Sequence, residues 1–535
     1  VFERVVAEAG RGRLALVTDE PGRLAEAFPT PPLVFDAGRE RWDLHAALAV
    51  AGRFDVVVLD VANPTARVRM IPDLLFHARA GGRLVVPDAA RRPEAAAGAP
   101  APAVDATSSP FLFVAAVTDP GSGIAPRPFG LRPVDITSLR SAMASVEFVD
   151  GHLVITNGHD VHAKLNEQAA NTVIAATGRG RVLDSRPGVT WRPTAELRES
   201  ESDLGGFWQR EYAAPDLYLR EYDDVLCLPG QVAVIDHFLL PDTYRHIGRP
   251  RLGNQYAPER APLFAVPKDK RPARKVLNGP HFFWDSEFRG HFGHAVTEQL
   301  SRMWAFQRAR EIHPGLKVVM AKNKHRELAD FEVDLLGRFG VAREDLVFEY
   351  EPVRVEKLIA ATPMFSQPNY IHPGITEVWD HLGASLAADA PDRAYPERFF
   401  VSRRHGKRSC RNGAEVEALF AAQGFEIVYP EDYSLAEQAR LFREAKVIGG
   451  YAGSGLFNAM LALEPKHLIM VSSESYTAEN EWMIAAARNH RIDVAWCVAE
   501  IPAPRGAYVV KAFHSPYTFD HEREGRFLAQ VFAEL

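Results

Sequence analysis

The chain has 535 residues, 47% of them hydrophobic and 24% charged, which is enough for about three or four globular domains and excludes a disordered or fibrous class. A net charge of −7 argues against a nucleic-acid partner, and three scattered cysteines, Cys227, Cys410 and Cys497, fit a reducing compartment and no structural zinc. No apolar run reaches the roughly 18 residues of a membrane span, and the opening VFERVVAEAGRGR lacks the shape of a signal peptide, so the expected location is cytoplasmic.

Residues 1–135 read as a unit of their own. LALVTD, PLVFDAG, FDVVVLD and GRLVVPD are apolar runs of strand length, and helical patterns such as RWDLHAALAVAG and IPDLLFHARAGG separate them. That alternation predicts a parallel α/β sheet. FDVVVLD followed by ARAGGRLVVPD resembles the later half of a Rossmann-type methyltransferase. After LALVTD, however, come Glu20, Pro21 and Gly22 instead of a GxGxG cofactor turn. The expectation is a degenerate Rossmann-like domain with a structural or interaction role. RRPEAAAGAPAPAVDATSSP, residues 91–110, is too poor in large apolar side chains to pack and reads as a linker. FLFVAAVTD then reads as a further strand, and ITSLRSAMASVEF as a connecting helix.

Residues 136–274 form a β-rich connecting segment in which HLVITNG, NTVIAATG, GRVLDS, DLYLREYDDVLCLPG and QVAVIDHFLL read as short strands between turn residues. KDKRPARK, residues 268–275, reads as an exposed connection.

Residues 275–392 return to α/β alternation. HFFWDSEFRGHFGHAVTEQLSRMWAF, residues 281–306, ends in a helical pattern whose buried stripe would be Val296, Leu300, Met303 and Trp304. His294 and Glu298 stand four apart on one face, the spacing of a histidine base with a carboxylate to stabilise its cation, and equally of a helix-surface contact. Asp285 and His291, in the loop before the helix, are rival bases. The aromatic run before Asp285 would raise a carboxyl pKa, although a loop aspartate also caps turns. Trp284 either stacks on a sugar or fills the core. In NYIHPG, His372 either faces an acceptor or serves the loop.

Residues 393–515 carry the densest chemistry. A strand-like FFVS opens onto RRHGKRSCRN, in which Arg403, Arg404, Lys407, Arg408 and Arg411 fall within nine residues. About forty residues on, VIGGYAGSGLFN meets Gly449, Gly450, Gly453 and Gly455 and then the pattern LFNAMLAL, the order of a buried strand, a glycine turn and a helix. Such a turn presents backbone N–H groups to an anion, phosphate above all, though many only pack. Arginine forks on the other side would grip a diphosphate, whereas a lone basic run is a solvated loop. Ser472, Ser473 and Glu474 follow a strand, where Glu474 would hold a ribose hydroxyl or cap the next helix. Residues 516–535 read as a polar, then amphipathic, C-terminal helix crossing back to the first half.

FFVSRRHGKRSCRNGAEVEALFAAQGFEIVYPEDYSLAEQARLFREAKVIGGYAGSGLFNAML, together with the block at 281–306, resembles the family 61 glycosyltransferases. The SRR opening, the following Asn412, the Leu-x-x-Gln helix and the closing Gly-x-Gly-Leu-x-Asn carry the likeness, over roughly residues 275–500. Two positions depart from the family pattern: Ala452 stands where His is common before the Gly-x-Gly, and Gly413 where Glu commonly follows Asn. The resemblance implies a GT-B fold, two facing Rossmann-like halves, and inverting transfer from a nucleotide sugar, a UDP-sugar, to a glycan or other hydroxyl acceptor in polysaccharide assembly. It implies His294, Asp285 and Glu298 as catalytic residues. Ser402, Arg403, Arg408, Asn412, Gly453, Ser454, Gly455, Asn458 and Glu474 would hold the donor, and His291, Trp284 and His372 the acceptor. No DxD motif appears in the donor blocks, so neither metal nor other cofactor is expected, because arginines and a helix start can meet the leaving charge. A non-catalytic nucleotide- or glycan-binding scaffold is the alternative, and the oligomeric state is left open.

Overall fold

The computed structural model describes residues 12–20, 28, 30–89, 108–125, 129–202, 204, 207–321, 327–404, 406–504 and 508–535. The expected linker, up to residue 107, and the turn at Pro21 and Gly22 lie outside them, as do the opening residues 1–11. The chain forms two units. One comprises Val1–Val182, Glu221–Asn278 and Glu351–Leu358, the other Leu183–Arg220, Gly279–Tyr350 and Ile359–Leu535.

The first unit is built on β1 (Leu14–Thr18), β2 (Leu33–Asp36), β3 (Phe54–Asp60), β4 (Ala78–Val86), β5 (Met143–Val149) and β6 (His152–Asn157), in the order β2-β1-β3-β4-β6-β5. The first four run parallel, while β6 is antiparallel to both β4 and β5. LALVT of β1 is buried at every position and VVVLD of β3 likewise, the near-continuous apolar pattern of strands inside a parallel sheet. Edge strand β2 stays largely exposed. Helices α1 (Arg41–Ala51) and α2 (Pro64–Leu74) follow β2 and β3, so the α/β expectation holds here.

Two expected strands are helices. FLFVAAVTD is helical over Pro110–Thr118, because Ser109 accepts the Leu112 N–H and Pro110 sits in the first turn. NTVIAATG belongs to a helix over Glu167–Thr177, started by the Asn166 side chain on the Ala169 N–H at 2.8 Å and stopped by Gly178 in the left-handed region. A short apolar run does not distinguish strand from helix, and the caps outside it decided. ITSLRSAMASVEF divides between a helix, Pro133–Ala142, and β5. The β-rich reading holds at Leu226–Leu228, Val232–Ile235 and Phe238–Leu239, which pair antiparallel.

The second unit carries an all-parallel sheet of β7 (Leu197–Glu199), β8 (Arg398–Val401), β9 (Glu426–Val428), β10 (Val447–Tyr451), β11 (His467–Ser473) and β12 (Arg491–Cys497). Its order is β7-β12-β11-β10-β8-β9. From β8 the chain steps out to β9 and returns past β8 to β10, so the order reverses between β8 and β10, and open α/β sheets bind ligands beyond the carboxyl ends of such strands. Helices α3 (Gly413–Ala421), α4 (Leu435–Glu444) and α5 (Asn480–Arg488) connect these strands. Ser434 and Glu437 form a reciprocal capping box at the start of α4.

β7 comes from far upstream, and its neighbourhood is welded to β12 and α5: Trp208 stacks on Trp496 with ring centroids 5.6 Å apart, and Trp482 Nε1 donates to the Gln209 carbonyl at 2.7 Å. Residues 183–220, read from sequence as part of a connecting segment, therefore belong with this sheet. Trp284, Trp379, Trp482 and Trp496 are fully buried in its core. The terminal helix, Glu524–Phe532, packs on this same sheet through Leu528, Val531 and Phe532 instead of crossing back toward residues 275–392.

In the same unit, His281–Phe283 runs parallel to Lys317–Val319, and Lys317–Ala321 is followed by Leu346–Glu349, also parallel. A continuous helical rod covers Phe292–His294, a π-helical turn over Ala295–Gln299, a 3₁₀ stretch over Leu300–Ala305 and Phe306–Ile312. Val296, Leu300, Met303 and Trp304 form its buried stripe, as expected. Among the described residues no helix is long and apolar enough to cross a membrane.

Candidate active site

The basic loop leaves β8 at the reversal point, and its five cations divide. Arg404 pairs with Asp432 and Arg411 with Glu500 at 2.6 Å, both on the surface, and Lys407 is exposed. Arg403 and Arg408 turn inward. Arg403 lies 5.4 Å from the Tyr451 ring centroid and donates through Nη2 to the Ala452 carbonyl. Arg408 lies 4.6 Å from the ring of Tyr476 and 5.3 Å from that of Phe513, and its buried Nε has no hydrogen-bond partner among the described residues. The loop is tied to the C-terminal segment by Arg408 N–H to the His514 carbonyl and Arg411 N–H to the Tyr517 carbonyl, which holds Arg408 at φ +52°.

The two guanidinium groups meet over Gly453. A β-carbon there would stand 3.1 Å from Arg408 Nη2 and 3.7 Å from Arg403 Nη2, and φ is +138°, so glycine is required. Glu481 Oε1 accepts the Gly453 N–H at 2.6 Å and the Tyr476 hydroxyl at 3.2 Å. Burial raises the pKa of that carboxyl, and its field reaches Arg408 without a direct ion pair. Burial is also the main cause that lowers the Arg403 pKa, with repulsion from Arg408 adding to it. Two like charges brought to one glycine repel one another. An anion placed between them would turn that cost into attraction.

The two arginines and Gly453 line a cavity of about 510 Å³ with Ser402, Glu431, Ser454, Gly455, Gln438 and Asn458, and Phe292 and Phe331 line it as well. The N–H groups of Ser454 and Gly455 have no protein acceptor among the described residues, whereas that of Gly453 is taken by Glu481. The turn leads into the expected helix, which is a short 3₁₀ helix over Leu456–Leu461. The rod reaches this turn at its first residues: a β-carbon on Gly293 would lie 3.2 Å from both Ser454 Cβ and the Phe457 ring. Next along the rod, and like Glu298 outside the cavity lining, His294 Nδ1 sits 3.0 Å from Glu298 Oε1, and the imidazole stacks on Phe288 with centroids 4.5 Å apart. A carboxylate accepts at Nδ1, so Nδ1 carries a proton. Among the described residues no group of three or more His, Cys, Asp or Glu side chains could hold a metal ion.

Residues 292–470 match the profile of the family described as Glycosyltransferase 61. This segment is similar to the glycosyltransferase 61 family. No curated protein matches the chain. Among solved structures, it is similar to the MycE methyltransferase from the mycinamycin biosynthetic pathway. Two crystal forms with Mg and SAH show 13% and 14% identity, cover 30% and 29% of this chain and 48% and 47% of theirs, and score TM 0.19 and 0.20. A complex with Mg, SAH and mycinamycin VI shows 12% identity, 29% and 48% coverage and TM 0.18. The chain spans about half the length of those structures.

Within the glycosyltransferase 61 segment the expected donor residues separate by role. Arg403, Arg408, Gly453, Ser454 and Gly455 come together at the cavity. Ser402 lines it, but its hydroxyl donates to Glu417 at 2.5 Å. Asn458 also lines it while its Nδ2 donates to Gln438 Oε1 at 2.6 Å, and Gln438 Nε2 in turn holds the Pro430 and Tyr433 carbonyls. The Leu-x-x-Gln and Gly-x-Gly-Leu-x-Asn motifs are thus two ends of one buried hydrogen-bond chain. Asn412 clasps the Phe519 backbone at 2.9 and 3.0 Å, away from the cavity. Glu474, beyond the family segment, lies 3.8 Å from Arg523 and does not line the cavity.

The rod-side expectations change more. Trp284 is wholly buried in the core, so it stacks on no ligand. Asp285 is 2% exposed and sits beside Arg289, which forms an ion pair with Glu332 at 3.1 Å. Enclosed among buried charges, it is no accessible base. His372 is fixed in its own loop, taking the Gly374 N–H at 3.1 Å, and lies outside the cavity lining. His291 is exposed at the start of the rod, 4.9 Å from the His294 ring. Tyr451, Tyr476 and Glu481, which seat the arginines and the turn, escaped sequence reading because no motif spacing marks an aromatic seat.

Proposed function

We propose that the second unit transfers a sugar, with inversion, from a nucleotide sugar, a UDP-sugar, to a hydroxyl of a glycan or other acceptor, without a metal ion. The observation that carries this is the pair Arg403 and Arg408, meeting over Gly453 at the strand-order reversal with neither guanidinium in a direct ion pair among the described residues. The diphosphate lies against the two guanidinium groups and the Ser454 and Gly455 N–H groups. His294 Nε2 takes the acceptor proton as its oxygen attacks the anomeric carbon. The bond from that carbon to the diphosphate breaks with both electrons going to the leaving oxygen, whose charge the arginines meet. Glu298 steadies the imidazolium through Nδ1. The acceptor and donor sides, the parts of residues 275–392 and 393–515 that lie in this unit, act as a GT-B pair.

Calorimetric titration with UDP, GDP and CDP tests the site. One nucleoside diphosphate should bind equally well with EDTA or Mn²⁺, and Arg403→Ala or Arg408→Ala should each weaken it by about 1.5–3 kcal/mol, the worth of a charge-assisted hydrogen bond. Binding that needs Mn²⁺, or that ignores both substitutions, overturns the reading. Nucleotide binding without turnover on any acceptor would instead mark a scaffold that has kept the fold.

A further inference from the structure

A second cavity, of about 440 Å³, lies within the first unit between α1, α2 and the segments at Phe129–Leu131 and Pro262–Leu263. Its chemistry is divided between an open side and a floor. On the open side stand Arg39, Arg41, Arg69 and Asp73. Arg41 and Asp73 neutralise one another through two hydrogen bonds of 2.6 Å. The side chains of Arg39 and Arg69 have no carboxylate partner among the described residues, which leaves a surplus of two positive charges. The walls are apolar, with Leu44, Leu74, Phe129 and Leu131 all buried.

The floor is a histidine pair whose protons can be assigned from its partners. His45 Nε2 is 2.9 Å from the Lys164 carbonyl, which can only accept, so this nitrogen carries the proton. His45 Nδ1 must then accept across the 3.1 Å contact from His77 Nε2. That leaves His77 Nδ1 with a lone pair. Both rings stay neutral: burial lowers the His45 pKa to about 3 and the His77 pKa well below its ordinary value. The buried Lys164 ammonium, held by Glu259 at 2.5 Å, adds to the field against a proton on His45.

We propose that this cavity binds a small phosphate monoester whose body is an apolar ring bearing an O–H or N–H donor. Arg39 and Arg69 match the dianion, the leucine and phenylalanine walls match the ring, and His77 Nδ1 accepts from the donor at the floor. The first unit would then be a ligand-binding unit in its own right.

The test titrates the full-length chain with 4-hydroxyphenyl phosphate, phenyl phosphate and inorganic phosphate. 4-Hydroxyphenyl phosphate should bind about tenfold more tightly than phenyl phosphate, the worth of one hydrogen bond, with inorganic phosphate weakest. The surface double variant Arg39→Glu/Arg69→Glu should keep the melting temperature and weaken both aryl phosphates by about tenfold or more. His77→Phe should erase the difference between the two aryl phosphates. Aryl phosphate binding that the double variant leaves unchanged, or no binding of either aryl phosphate at millimolar concentration, overturns the proposal.

Discussion

Arg408 and Arg404 are four residues apart and chemically identical, yet only one faces the cavity. Arg404 is half exposed beside Asp432, and an exposed pair is worth about 0–1 kcal/mol, so Arg404→Ala should change nucleotide affinity by less than about 0.5 kcal/mol. Comparing it with Arg408→Ala in one titration separates local grip from general positive charge. A second prediction concerns Glu479, whose carboxyl is buried beside the Gln209 N–H at 3.0 Å and whose pKa is raised to about 7 by burial. The unfolded chain loses that proton near the ordinary glutamate value, so between there and pH 7 the folded state holds more protons. Stability contributed by the protonated form is therefore lost as pH rises through that window, by roughly 2–3 kcal/mol at most. Glu479→Gln should raise the melting temperature at pH 8 and leave it nearly unchanged at pH 4.5, as scanning calorimetry would register; an equal shift at both values would contradict this.

The rod and the glycine turn meet through the absence of two β-carbons. Gly453 holds a φ that side chains rarely adopt, with a guanidinium nitrogen 3.1 Å from where a β-carbon would stand, so Gly453→Ala should cost about 1–3 kcal/mol and weaken nucleotide binding in parallel. Gly293→Ala is the more informative change. Its β-carbon would press on Ser454 and Phe457 at 3.2 Å, both on the second element, so the rod must shift by a few tenths of an ångström. Since that shift moves His294 relative to the turn, turnover should fall by about tenfold or more while nucleotide affinity stays within about threefold. Equal losses in both would show that Gly293 serves stability alone. The π-helical turn carries Glu298 to His294 within this rod, a feature frequent at functional sites.

At the scale of the molecule, the second unit is assembled from three stretches of chain, and the shortest of them covers residues 183–220. Trp208 is 4% exposed, stacked on Trp496 and hydrogen-bonded to Glu199 at 2.6 Å. Trp208→Ala should thus destabilise the second unit by about 3–5 kcal/mol in urea unfolding, although it lies more than eighty residues before the family segment begins. A loss below about 1 kcal/mol would detach that stretch from the unit. By itself the sequence determined the parallel α/β class, the buried stripe of the rod, the contact of His294 with Glu298, and the pairing of a basic loop with a glycine turn. Each of these rests on neighbours within one or two turns, or on a local pattern that hydrophobic period and residue type encode. Only the tertiary structure decided which two of five cations face inward, that Asp285 and Trp284 are enclosed, that Asn412 is a clasp, and that residues 183–220 join the far sheet. Those outcomes depend mostly on groups distant in sequence competing for the same buried space, and burial reverses the chemistry a residue type suggests on its own.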